Sequence, residues 1–165
     1  MPSQLTAVNA EPIYAALFDL LVSQLQGSPP TFATIGRRHI APKSLTPVQQ
    51  PALFSVGVGS IDNPRPGGTP GKVTLKALLI LYAWNSALNQ PPGQETELSE
   101  TIINSLVTSV RQALLPTFPN NQFRVNQQTL GGLVEHCWIE GEGVVDPGIY
   151  GQQAGAILPV HILVP

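Results

Sequence analysis

Apolar residues recur at three- and four-residue spacing through Ile13, Leu17, Leu20, Leu21 and Leu25, which predicts a helix over 11–26 with one buried face. Pro12 suits its first turn, where no backbone N–H is required, and Gly27-Ser28-Pro29-Pro30 stops it. The pattern then turns extended. Residues 31–37 are predicted as a short strand, and Pro42, Pro47 and Pro51 keep the next segment from running long as helix or central strand. Ala52 to Val58 is rich in strand formers. From Lys72 to Asn85, Val73, Leu75, Ala77, Leu79, Leu81 and Ala83 share one parity, the mark of a strand with one buried face. These two runs are expected to pair as a long hairpin.

Their connection, residues 59–71, holds four glycines and three prolines. A stretch of that kind is expected neither to continue the ladder nor to pack a core of its own, so it should project as an arm. A second helix is predicted over 97–115, where Leu98, Ile102, Leu106, Val110 and Leu114 form an i, i+4 stripe widened by Ile103 and Val107. Thr96 is the expected N-cap, Glu97 and Glu100 complement the helix start, and Pro116 and Pro119 end it. The last third reads as strands near 123–125, 133–140 and 156–164, the final two separated by a Gly/Pro-rich turn region over 141–155. This order predicts an α+β fold, a mainly antiparallel sheet with two amphipathic helices on one face and a long β-hairpin arm, in one domain over residues 1–165.

Composition changes the picture at the surface. Charged residues make up 11% of the chain, well below the ~25% of ordinary globular proteins. Such a surface is poorly defended against association, so part of it is expected to be covered by copies of itself or by partners. An ordinary, weakly charged monomer is the alternative.

The net charge of −2 argues against a strongly basic nucleic-acid binder. Between Arg37 and Lys76, the cations Arg37, Arg38, Lys43, Arg65, Lys72 and Lys76 stand against the single acid Asp62, whereas only acids, Glu135, Glu140, Glu142 and Asp146, follow Arg124. In a head-to-tail ring, Arg37, Arg38 and Lys43 of one subunit could meet Glu140, Glu142 and Asp146 of the next. A lone cysteine, Cys137, precludes an intramolecular disulfide and fits assembly in a reducing cytoplasm. No apolar run approaches the ~20 residues needed to span a membrane, and Met1 to Ala10 lacks the form of a signal peptide.

Candidate chemistry is sparse. Gly57-Val58-Gly59 runs into Asp62 and Pro64 rather than a helix, so a dinucleotide fingerprint fails. Gly67-Gly68-Thr69-Pro70-Gly71-Lys72 has Pro66 where a phosphate loop needs glycine and Val73 where it needs Ser or Thr. His136 and Cys137 are adjacent, but successive strand residues point to opposite faces, so a buried cysteine beside a half-exposed histidine is expected instead of a metal or nucleophile pair. Glu140 and Glu142 share a parity, yet flanking Gly141 and Gly143 favour a turn. Trp84 and Trp138 are expected as core or interface anchors. No cofactor is expected; a small Cys/His hydrolase or ligand-binding module remains the competing class.

The stretch Thr129-Leu130-Gly131-Gly132-Leu133 through Ile139, followed by a terminal strand over 155–164, resembles the end of phage tail terminator and related minor tail proteins. The helix-then-hairpin order is similar too. The resemblance implies a structural, non-enzymatic virion protein that forms a ring, usually sixfold, on the last ring of tail tube protein. Such a ring ends tube polymerisation, presents a surface to a neck or connector protein, and surrounds the DNA path without reading sequence. A neighbouring gateway, collar or head-tail joining role is the alternative within that setting. The arm, with Arg65, Gly67, Gly68 and Lys72, is then expected to reach a neighbouring subunit or tube protein.

Overall fold

Side-chain parity along one strand organises the molecule. The computed structural model describes residues 8–26, 32–67, 71–84, 99–116, 127–141, 143–146 and 153–165. Its elements are α1 (Glu11–Leu25), β1 (Thr34–Gly36), β2 (Ala52–Asn63), β3 (Lys72–Trp84), α2 (Ser99–Ala113), β4 (His136–Ile139), β5 (Val144–Asp146) and β6 (Gln153–Val164), with single 3-10 turns at Pro42–Ser44 and Pro47–Gln49. The strands form one six-stranded sheet in the order β1-β2-β3-β6-β4, with β5 also lying along β6. All pairings are antiparallel except β1 with β2. The fold is α+β, as the residue pattern predicts. The expected strand at 123–125, Thr96 and Glu97 lie outside the described residues.

On β3, Leu75, Ala77, Leu79, Leu81 and Ala83 are buried. The register sets Leu75 opposite Ile162, Ala77 opposite Val160 and Leu79 opposite Leu158 of β6, so one continuous apolar face spans the two central strands. Ile13, Leu17, Leu21 and Leu25 of α1 and Ile103, Leu106 and Val110 of α2 join that face in one cluster. Each fully buried Leu or Ile contributes about 1.5–3 kcal/mol of transfer free energy, which outweighs the modest propensity of the helices taken alone.

The hairpin differs from expectation. Strand β2 does not stop at Val58; it runs on through Gly59, Ser60, Ile61, Asp62 and Asn63, paired from Gly59↔Lys76 to Asn63↔Lys72. A register shift between Gly57 and Gly59 accommodates Val58, with Gly59 at φ 142°, a conformation open to glycine. Ladder hydrogen bonds come from the backbone, so glycine and polar residues sustain them until Pro64 removes a donor. Asn63 Nδ2 donates to Thr74 Oγ1 at 2.9 Å, closing the end of the ladder. All residues of β2 from 57 to 63 are exposed. Residues 57–63 are therefore an exposed edge of the sheet, since β3 pairs along the same stretch with β6 from Val73↔Val164 to Ala77↔Val160, and the arm is reduced to the short tip beyond Asn63.

The opposite edge also departs from the prediction. Residues 133–135 belong to a turn region in which Leu130, Gly131 and Gly132 all have positive φ, so β4 begins only at His136. Within the segment expected as turn, Val144–Asp146 pairs with Ile157 to Gly155 as β5. β4 and β5 thus form one interrupted edge, broken around Glu140. Pro159 of β6 sits opposite the break: its carbonyl accepts from Glu140 N–H at 2.9 Å. In an antiparallel ladder a residue's N–H and C=O face the same neighbour, so the proton that proline lacks falls at the gap.

Candidate functional site: the far face of the sheet

Both helices cover one face of the sheet, and the other face is apolar as well. Its rows run Phe54, Ile80, Ile157 and Val144, then Val56, Leu78 and Pro159, then Lys76, His161 and Trp138. Parallel pairing of β1 with β2 requires a crossover, and residues 37–51 make it over this face. Ile40 and Leu45 pack there on Ala52, Phe54, Val56, Ile80 and Tyr82. The proline-rich segment thus acts as a strap over the β2–β3 half. His39, an exposed residue of the strap itself, lies edge-on to Phe54 and 2.9 Å from the Tyr82 hydroxyl through Nε2.

Beyond the strap, a recess of about 280 Å³ opens between Pro42 and β5, floored by Ile80, Tyr82 and Ile157 and walled by Val144. Gln153 and Asp146 supply its polar lining. Val144, Val145 and Ile157 are exposed together at this edge. Gln153 Nε2 donates to Gln50 Oε1 at 3.0 Å, while the buried Nε2 of Gln50 has no hydrogen-bond partner. Sequence reading missed this recess, because its walls come from four separate segments.

The other half of the face carries an aromatic cluster. His136 stacks on Trp138 with ring centroids 5.0 Å apart, and His161 meets Trp138 edge-on at 5.8 Å. Trp138 Nε1 donates to the Glu140 carboxylate, which lies 4.0 Å from His161 Nδ1. His136 Nδ1 accepts from the Gln128 N–H at 3.2 Å, which assigns its neutral proton to Nε2, and burial holds its pKa below the ordinary value. Cys137 points the other way, into the core, where desolvation pushes its thiol up to about 12. The two side chains do not converge. Among the described residues no group of three or more His, Cys, Asp or Glu is placed to hold a metal ion, and no helix is long and apolar enough to cross a membrane.

The charged residues singled out from sequence divide three ways. Arg37 forks onto Glu11 at 2.5 and 3.0 Å, lowering the Glu11 pKa through charge-assisted hydrogen bonding, and Lys72 pairs with Glu135 at the base of the arm. Both cations have partners within the chain. Arg38 and Lys43 are exposed on and beside the strap, Arg65 and Gly67 at the arm tip, Glu140 and Asp146 along the β4–β5 edge. Gly68 and Glu142 lie outside the described residues. No family model matches the chain, and no curated protein matches it.

Proposed function

We propose that the chain is a structural subunit of a phage-like virion. In this reading it forms a non-enzymatic ring at the head-proximal end of the tail tube, where it ends tube polymerisation and joins tail to neck. The observation that carries this reading is the exposed β2 edge with its tip: residues 57 to 63 are exposed along the side of the sheet, and the exposed Pro64–Gly67 continues past the ladder. An exposed edge strand leaves backbone groups open to pairing with another chain. The tip beyond it supplies reach toward a partner. A sparsely charged chain with exposed Val144, Val145 and Ile157 at one sheet edge is consistent with assembly rather than solitary life.

The competing Cys/His reading is weakened by geometry, because a desolvated thiol near 12 is a poor nucleophile and its neighbouring imidazole faces away. DNA would pass through the ring without sequence-specific contacts, and assembly would occur in the host cytoplasm. The test is native mass spectrometry and negative-stain microscopy of the purified protein, alone and with tube protein. Rings, or caps on tube ends, are expected; monomer under every condition would overturn the proposal.

A further inference from the structure

The arm tip and the far-face recess stand at opposite ends of the same strands. Lys72, at the foot of the tip, and Ile80, on the recess floor, are eight positions apart on β3, about 26 Å at ~3.3 Å per residue. A tip continuing away from the sheet cannot fold back into its own recess. It can reach that of another molecule.

Their chemistries match. Pro64-Arg65-Pro66-Gly67 is exposed and combines two apolar rings with one cation. Proline carries a carbonyl but no N–H, so the backbone of such a segment offers more acceptors than donors. The recess offers apolar walls in Pro42, Ile80, Val144 and Ile157 and the ring of Tyr82. Gln153 Nε2 gives one proton to Gln50 and retains a second. Behind it, Gln50, 8% exposed, holds a buried amide atom without a partner. Asp146 lies on the rim of the recess, and Arg65 carries the single cation of the tip. At about 280 Å³ the recess is slightly smaller than the roughly 300–1,000 Å³ of small-molecule sites, a size suited to a short anchor from a larger partner. Proline-rich segments dock in this manner on aromatic-lined grooves.

We infer that the tip Pro64–Gly67 of one copy docks in the recess between Pro42 and Ile157 of the next copy. The inference rests on the ring reading above and specifies its subunit contact. Because donor and acceptor lie at different places on one chain, the contact is heterologous and propagates head to tail until it closes.

The experiment uses two full-length variants that each disable one side. Pro64→Ala with Pro66→Ala and Arg65→Glu removes the anchor and keeps the recess. Ile157→Arg fills the recess from a position already 39% exposed and keeps the arm. Thermal melts establish that each folds. Native mass spectrometry and sedimentation are expected to show that each variant alone needs at least about tenfold more protein to assemble. Mixed, they should give a one-to-one complex and no larger ring, since only one tip and one recess are intact. Wild-type rings with both variants unimpaired would overturn this contact and leave the ring reading standing. Loss of tube-protein binding by the tip variant with its rings intact would likewise overturn it, assigning the arm to the tube. Wild-type monomer under all conditions would overturn the ring reading itself.

Discussion

The ring of Tyr14 occupies the space that a Cβ at residue 57 would need: its Cε2 lies 2.5 Å from that position. Glycine there lets α1 settle onto the edge of β2, where the Tyr14 hydroxyl donates to the Lys76 carbonyl at 2.9 Å and lies 3.3 Å from that of Gly59. Gly57→Ala should cost about 1–3 kcal/mol by overpacking, and Tyr14→Phe about 0.5–1.5 kcal/mol. Combining Gly57→Ala with Tyr14→Ala should cost less than the sum of the single changes, since the small side chain vacates the contested space. Urea denaturation of the wild type, Gly57→Ala, Tyr14→Ala and the double variant checks this, with Tyr14→Phe measured alongside.

Cys137 should make the fold sensitive to alkali. Below its ordinary value of 9.0 the thiol is protonated in both states and contributes nothing. Between about 9 and about 12 the unfolded chain releases the proton and the folded chain keeps it. Stability therefore falls as pH rises, by up to about 1.4 kcal/mol per pH unit. Urea midpoints from pH 8 to 10.5 should fall less steeply for Cys137→Ala than for the wild type. The native thiol should resist alkylation at pH 8 and react once urea is added.

His136 carries the opposite sign of pH dependence. Its folded pKa is lowered by burial, so both states are neutral above pH 6.5. As pH falls through that value the unfolded chain binds the proton first, and stability declines. An imidazole titration followed by NMR should give a midpoint below 6.5, and neutralising its environment by Gln128→Pro, which deletes the N–H donated to Nδ1, should shift that midpoint.

The pair Lys72–Glu135 ties the foot of the arm to the approach to β4, with side chains 26% and 29% exposed. Lys72→Met or Glu135→Gln should each cost about 1 kcal/mol, with a salt-sensitive coupling energy in a double-mutant cycle. A coupling of zero in low salt would remove any stabilising role for this contact.

What could be read from sequence tracks what buries side chains. The parity of Leu75, Leu79 and Leu81 and the stripes of Ile13 to Leu25 and Ile103 to Val110 are core patterns, and they led to the right elements. Residues 59–63 and 144–146 pair through their backbones while every side chain is exposed, so neither leaves an apolar alternation to detect. The parallel docking of β1 depended on a crossover whose Ile40 and Leu45 bury against the far face, a long-range fact without a local signature. For the recess the reason is similar. Pro42, Ile80, Val144 and Ile157 are brought together only by the register of β3, β6 and β5.

The strap over residues 37–51 has a consequence for how such a contact would be tuned. The recess floor belongs to central strands, whose ladders on both sides hold Ile80 and Ile157 at fixed height. One wall, by contrast, is a single 3-10 turn at Pro42–Ser44 whose Lys43 and Ser44 are exposed. Substitutions in that turn change the aperture without touching the helix-covered core, whereas substitutions in the floor disturb both faces of the sheet. Partner choice can therefore drift by loop replacement while the scaffold stays constant, a separation of adaptable rim from invariant base.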